Sequence, residues 1–221
     1  MRLDARLQSI LEAIQGFNTL YDIGTDHAFL PIKAIEQGVV KSAIAVDNKK
    51  QPAAVAKRNV KAAGFEDRIR VLVAEGLDAL DDTCDVAVMA GVGGATIRNV
   101  FKNHDTLNLK RFVFQPNTHP DRLRMLTDYG YCIIDERIVH AQGMPYVMIT
   151  MEKGSMTLNE QERLFGPILL KKRPKAFLTM LESERDYIAG VLDTLPANVQ
   201  ADALKERLLK IEEVLYEGHR D

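Results

Sequence analysis

The chain has 221 residues, 46% of them hydrophobic and 27% charged, with a formal net charge of −2. That is enough for one well-buried core and a smaller appendage, and it is not the composition of a disordered or low-complexity chain. The near-neutral balance excludes a global basic field, so any contact with nucleic acid has to rest on local clusters of Lys and Arg. No apolar run approaches the ~20 residues of a membrane helix, and the N-terminus reads as an amphipathic segment rather than a signal peptide. Cys84 and Cys132 form no metal motif and read as free thiols of a reducing compartment. A cytoplasmic protein with no membrane partner and no metal is expected.

In chain order, Leu3, Leu7, Ile10, Leu11 and Ile14 recur at helical spacing, with Gly16 as the stop. Strand and helix signals then alternate. TLYDI (19–23) reads as a strand, FLPIKAIEQG (29–38) as a helix, SAIAVD (42–47) as a buried strand, and QPAAVAKRNVKAAG (51–64) as a helix closed by Gly64. IRVLVA (69–74), DVAVMA (85–90) and RFVFQ (111–115) are three more strands; GATIRNVFKN (94–103) and HPDRLRMLTDYG (119–130) are the helices after the last two. Near-continuous apolar strands alternating with helices predict a parallel sheet covered on both faces. YCIIDERIV (131–139) and PYVMITME (145–152) follow with no helix between them and predict an antiparallel pair added at the sheet edge.

After EKGS (152–155) only helix signals remain. Phe177, Leu181, Ile188, Leu192 and Leu195 form one stripe; Leu204, Leu208, Ile211 and Leu215 alternate spacings of four and three, as in a coiled-coil seam. Pro196 between them predicts an antiparallel hairpin, too short for a long coiled coil. The expected organisation is an α/β, Rossmann-like domain over 1–153 and a helical hairpin domain over 154–221.

Ligands of a parallel α/β sheet bind at the carboxyl ends of its strands. Four such ends carry unusual residues: DIGTDH (22–27), Asp47–Asn48, AGVGG (90–94) and Gln115–Pro116–Asn117. Gly24 lets a ligand approach the backbone, and Asp47, ending the second strand, can accept both hydroxyls of a ribose. Each has an ordinary alternative, Gly24 as a turn residue and Asp47 as a helix N-cap; together they read as the site of an adenosine-bearing cofactor. A nicotinamide dinucleotide needs G-x-G-x-x-G, because its diphosphate lies on bare backbone. Here Thr25, Asp26 and His27 follow Gly24. Asp26 would repel a diphosphate, whereas Asp22 and Asp26 suit the ammonium and sulfonium of S-adenosylmethionine. Asp26 could instead cap the helix near Phe29, and His27 could simply pack at the surface.

RLQSILEAI (6–14), DIGTDHAFLPI (22–32), AGVGGATI (90–97), FQPN (114–117) and GPILLKKRPKAFL (166–178) together resemble the bacterial tRNA (adenine-22-N1)-methyltransferases, the TrmK family. The resemblance spans nearly the whole chain. It implies a class I methyltransferase fold with a C-terminal coiled-coil-like domain, and transfer of a methyl group from S-adenosylmethionine to N1 of an adenine in the tRNA D-arm. Two positions depart from the family pattern. Val92 stands where G-M-G-G has methionine, and AEGL (74–77) replaces Gly-Asp-Gly-Leu. Glu75 can still accept from the adenine amino group, unless it is a solvated loop carboxylate. Asn48, Gly76, Leu77 and Gly91 complete the expected cofactor loops.

Adenine N1 has an in-plane lone pair and no proton to remove, so no strong general base is expected; Asp26 is the catalytic candidate, as proton acceptor for the product or as a holder of the base. The loop after the fourth strand has no aromatic to stack a base. Gly93 and Gly94 could hold the base through backbone atoms or make a plain tight turn. Gln115, Pro116 and Asn117 could meet its edge or satisfy loop backbone. Lys171, Lys172 and Arg173 in KKRPK are the expected tRNA contacts, ahead of Lys49–Lys50, Lys57–Arg58 and Arg122 with Arg124, though charge runs are usually solvated faces. The oligomeric state is open, with a monomer plausible. Two rivals remain: an NAD-dependent oxidoreductase, and a non-enzymatic Rossmann-like adaptor whose helical tail binds a partner.

Overall fold

The computed structural model describes residues 4–102, 109–196 and 200–217; Leu3 and Asn103 of the expected helices lie outside them. Residues up to Leu158 form one compact unit and those from Asn159 another.

In the first unit, helix α1 (Ala5–Ala13) starts where the Asp4 side chain accepts from the Arg6 amide, leaving Ile10 and Leu11 on its buried face. Strands β1 (Thr19–Ile23), β2 (Ser42–Asp47), β3 (Ile69–Val73), β4 (Val86–Ala90) and β5 (Arg111–Gln115) run parallel. Helices α2 (Phe29–Glu36) and α3 (Lys50–Ala63) join the first three strands, and α4 (Gly94–Phe101) follows β4. Gly64 ends α3 at φ +73°, the left-handed stop that its position announced.

The strand order is β3-β2-β1-β4-β5-β7-β6. β6 (Tyr131–Ala141) and β7 (Met144–Lys153) form the antiparallel pair, with β7 against β5. Gln142 and Gly143 turn the hairpin with φ +51° and +78°; two left-handed residues match the twist of the flanking strands. Four of the five β1 residues are buried, and Val86, Ala87, Val88, Phe112, Val113 and Phe114 are fully so. That burial on both faces is why these strands read as unbroken apolar runs.

One predicted helix differs. Residues 119–130 form a short α5 (Pro120–Arg124) that tightens into a 3-10 turn over Met125–Tyr129 before Gly130. The Thr127 hydroxyl donates to the Arg124 carbonyl at 3.0 Å, which competes with the regular helical ladder. Arg124 also donates to Glu136 on β6 at 2.7 Å, with both side chains fully buried. The helix is thereby tied down at its C-terminal end. Arg124 is removed as an RNA contact: as a buried partner of Glu136 it belongs to the core, so the expectation of a basic cluster with Arg122 is corrected.

The second unit contains α6 (Glu160–Phe165), α7 (Pro167–Lys172), α8 (Lys175–Thr194) and α9 (Asp202–Glu217). Asn159 and Glu162 form a reciprocal capping box at the start of α6. Helices α8 and α9 pack against each other. Arg207 grips Glu184 through two bonds of 2.8 Å, and Arg173 reaches the Leu215 carbonyl, pairings that make the hairpin antiparallel. Phe177, Leu181, Ile188, Ile211 and Val214 are its buried seam. No helix of the described residues is long and apolar enough to cross a membrane.

Candidate active site

The sheet order reverses between β1 and β4: from β1 the chain winds outward to β2 and β3, then returns to β4 on the other side. The carboxyl ends of β1 and β4 therefore splay apart around a crevice, the place where such sheets bind ligands. Here that crevice is a cleft of about 660 Å³.

Its floor is the turn after β1. Gly24 adopts φ +73°, and its amide donates to Val46 at 2.8 Å, as does that of Thr25 at 3.0 Å. The chain thus keeps pairing with β2 while it bends. A Cβ on Gly24 would meet nothing within 4 Å, so the space above it is open and it is the left-handed backbone that requires glycine. Asp26 and Ala28 are left-handed too, at φ +50° and +57°. Strain of this kind in non-glycine residues collects where a loop is shaped for a ligand.

Asp22, the penultimate residue of β1, lines the cleft, yet is only 6% exposed. Burial pushes its carboxyl up to about 6, against a smaller opposite pull from the Thr25 hydroxyl. That hydroxyl is buried and reaches no partner with good hydrogen-bond geometry. An ionisable carboxyl short of counter-charge and an orphaned hydroxyl on one wall fit a cationic, polar ligand, such as the amino-acid end of S-adenosylmethionine.

Asp26 caps nothing. α2 begins after Ala28 with no side-chain cap, so the capping alternative for Asp26 is set aside; its carboxylate lies 3.3 Å from His27 Nε2 at the exposed mouth of the turn. Asp47 Oδ1 accepts from the Lys49 amide at 2.8 Å, holding the β2 end, and no side chain caps α3. The Ala74 amide donates to the Asp47 carbonyl, which places the Glu75 loop beside it. Gly76 is pinned by Tyr21, whose hydroxyl donates to its carbonyl at 3.2 Å, and Leu77 is buried. The Gly24, Asp47 and Glu75 turns are therefore contiguous along the sheet's carboxyl edge.

The β4 and β5 ends are stitched together. Gly91 donates to the Gln115 carbonyl, Asn117 to the Val92 carbonyl and, through Nδ2, to the Gly91 carbonyl at 2.7 Å. Gln115 Nε2 donates to the Pro116 carbonyl and its Oε1 accepts from Arg6. In this arrangement both amides serve the loop backbone and the cleft wall. Gly94 is packed so tightly under the 118–119 backbone that a Cβ would overlap the His119 carbonyl oxygen.

The cleft wall thus gathers Asp22, Gly24, Gly91 and Gln115 from the expected set. Asp26, His27, Asp47, Asn48, Glu75, Gly76, Leu77, Gly93 and Gly94 lie off that wall, and Pro116 and Asn117 line a neighbouring cavity. Lys171 and Lys172 close α7 in the second unit as exposed side chains, while Arg173 is half-buried. The structure adds Asp4 and Arg6 at the start of α1, paired at 3.2 Å, together with Thr25. Asp4 had a local signal, an acidic residue just ahead of an amphipathic run; Arg6 had none beyond its place in RLQSILEAI.

A parallel sheet with its switch point at β1/β4, an antiparallel β7 beside β5, and an acidic single-glycine turn at the crevice define a Rossmann-like, S-adenosylmethionine-dependent methyltransferase. More specifically, the chain belongs to the tRNA (adenine(22)-N(1))-methyltransferase family, TrmK, whose profile matches residues 20–216. The tRNA (adenine(22)-N(1))-methyltransferase of Bacillus subtilis (strain 168) is 29% identical over 221 positions, spanning 96% of this chain and 93% of that protein. Sp1610 of Streptococcus pneumoniae, a candidate tRNA (m1A22) methyltransferase solved with S-adenosyl-L-methionine, is 32% identical. It superposes with a TM-score of 0.88 over 97% of this chain and 100% of its own. TrmK of M. capricolum, solved with S-adenosyl-homocysteine, is 26% identical with a TM-score of 0.86, covering 97% of this chain and 98% of that one.

Proposed function

We propose that the protein transfers a methyl group from S-adenosylmethionine to N1 of adenine 22 in the D-arm of tRNA. The observation that carries this is the family match over residues 20–216, laid on a cleft whose buried wall is acidic at Asp22 and open over Gly24. When bound, S-adenosylmethionine supplies an electrophilic methyl on a cationic sulfur.

The protein's part is binding and alignment. Asp22 faces the cationic amino-acid end, with Gly24 and Gly91 as the bare backbone beside it. Asp47 and Asn48 take the ribose side, and Glu75, Gly76 and Leu77 the adenine. His27 holds Asp26 at the mouth, where Asp26 takes up the proton released by the product or steadies the target base. Adenine N1 attacks with a free lone pair, so alignment of nucleophile, methyl carbon and sulfur is the main task, worth at most about 7–11 kcal/mol. Gly93, Gly94, Gln115, Pro116 and Asn117 shape the side from which the base enters. Because N1 lies on the Watson–Crick edge, the base has to be extruded first, at a few kcal/mol.

The methyltransferase domain spans 1–153, and the helical hairpin domain of 154–221 grips tRNA through Lys171, Lys172 and Arg173. The protein works in the cytoplasm. A thermal-shift comparison tests the donor: S-adenosylhomocysteine should raise the melting temperature and NADH should not. Stabilisation by NADH alone would revive the oxidoreductase, and stabilisation by neither would favour the adaptor.

A further inference from the structure

A second cavity, of about 330 Å³, adjoins the cofactor cleft. Arg6 lines both. Pro116 and Asn117 from the β5 loop line one side, and Pro145, Tyr146 and Val147 from the start of β7 another. Tyr146 is half-buried and is the single aromatic among the described residues of the lining. The Arg6 guanidinium lies 4.7 Å from the centre of its ring. Met144, 59% exposed, stands at the rim.

We infer that this second cavity receives the extruded target adenine, with Tyr146 as the stacking surface and Arg6 as the positioning residue beside the base; the inference rests on the tRNA adenine methyltransferase reading above. A purine taken out of its helix loses two stacked neighbours, and proteins replace them with aromatic rings or guanidinium planes. The cavity offers both, one over the other. It also meets the geometric demand of the reaction. The two cavities share Arg6, so a base stacked at Tyr146 lies next to the cofactor cleft. The loop after β4 has no aromatic, so the stacking partner comes from the sheet's added hairpin. The Asn117 amide, spent on the Gly91 carbonyl, keeps the wall rigid, and Arg6 is held to that same wall by its bond to Gln115. Asp4 offsets the Arg6 charge on the cleft side.

The test is steady-state methylation of a tRNA transcript carrying adenine at position 22, with S-adenosylhomocysteine-induced melting shifts measured alongside. Tyr146→Ala should lower kcat/KM for tRNA roughly 10- to 100-fold, the span expected for one lost base–aromatic stack, with the melting shift unchanged. Tyr146→Leu keeps the apolar bulk of the strand position and should show the same loss, so it carries the test if the alanine variant unfolds early. Tyr146→Phe should stay near wild type, because the Tyr146 hydroxyl makes no hydrogen bond among the described residues. Wild-type kcat/KM in the leucine variant would overturn the assignment, and so would loss of its S-adenosylhomocysteine shift, since the ring would then serve the cofactor. A wild-type enzyme that methylates no tRNA adenine would instead refute the underlying function.

Discussion

Asp22→Asn should make the protein more stable at neutral pH and worse at its task. The carboxyl of Asp22 is raised by burial from 3.8 to about 6. In the unfolded chain it ionises near 4; in the folded, ligand-free protein it resists ionisation until about 6. Below pH 4 both states hold the proton and the side chain costs nothing. Between pH 4 and 6 the native state binds more protons than the unfolded one, so stability falls as pH rises. Above 6 the loss is constant, at roughly two pK units or about 3 kcal/mol. Asparagine keeps the shape and removes the titration. For a chain of this size that corresponds to a melting-temperature gain of roughly 6–12 °C, present at pH 7.5 and lost as the pH falls below the unfolded value of 3.8. Differential scanning fluorimetry of both proteins across that range reads it directly, because all other titrating groups cancel in the difference. S-adenosylhomocysteine, whose ammonium needs the carboxylate, should stabilise the wild type less as pH drops below 6 and the variant weakly throughout. A variant-minus-wild-type difference that does not change with pH would refute the reasoning.

Gly94→Ala should cost about 2–4 kcal/mol, summing overpacking and the bond from the Gly94 amide to Thr118, because its Cβ would overlap the His119 carbonyl; a urea titration showing less than about 1 kcal/mol would contradict this. Asp26→Ala should abolish most methyl transfer with only a small fall in melting temperature, since an exposed contact with His27 holds little structure and alanine is only mildly strained at the left-handed Asp26 backbone; near-normal turnover would remove Asp26 from the site. Lys171→Glu with Lys172→Glu should weaken tRNA binding and flatten its salt dependence, by about one unit of log–log slope per lost contact, leaving S-adenosylhomocysteine binding unchanged. Equal tRNA affinity would place the RNA surface elsewhere.

The sheet was legible because its strands are buried on both faces, so SAIAVD and RFVFQ are unbroken apolar runs separated by helical ones. The convergence of the four loops was legible for a related reason: a parallel sheet sends every strand end to one edge, so odd residues at four strand ends had to be neighbours. Arg6 and Tyr146 were not legible. They meet across most of the first unit, one from a helix start and one from a hairpin, and no local spacing marks such a pair. Arg124 misled in the opposite sense. Beside Arg122 it looks like half of a basic patch, and only the fold reveals Glu136 waiting in the core. Asp26 looked like a helix cap by position, but the left-handed turn at Ala28 starts α2 without one.

Two tRNA transcripts differing only at nucleotide 22, adenine in one and guanine in the other, test the account most directly when each is incubated with the enzyme and isotopically labelled S-adenosylmethionine. The label should enter the adenine transcript alone, as a single N1-methyl group mapped to that nucleotide. Equal labelling of both transcripts, or none of either, would contradict it.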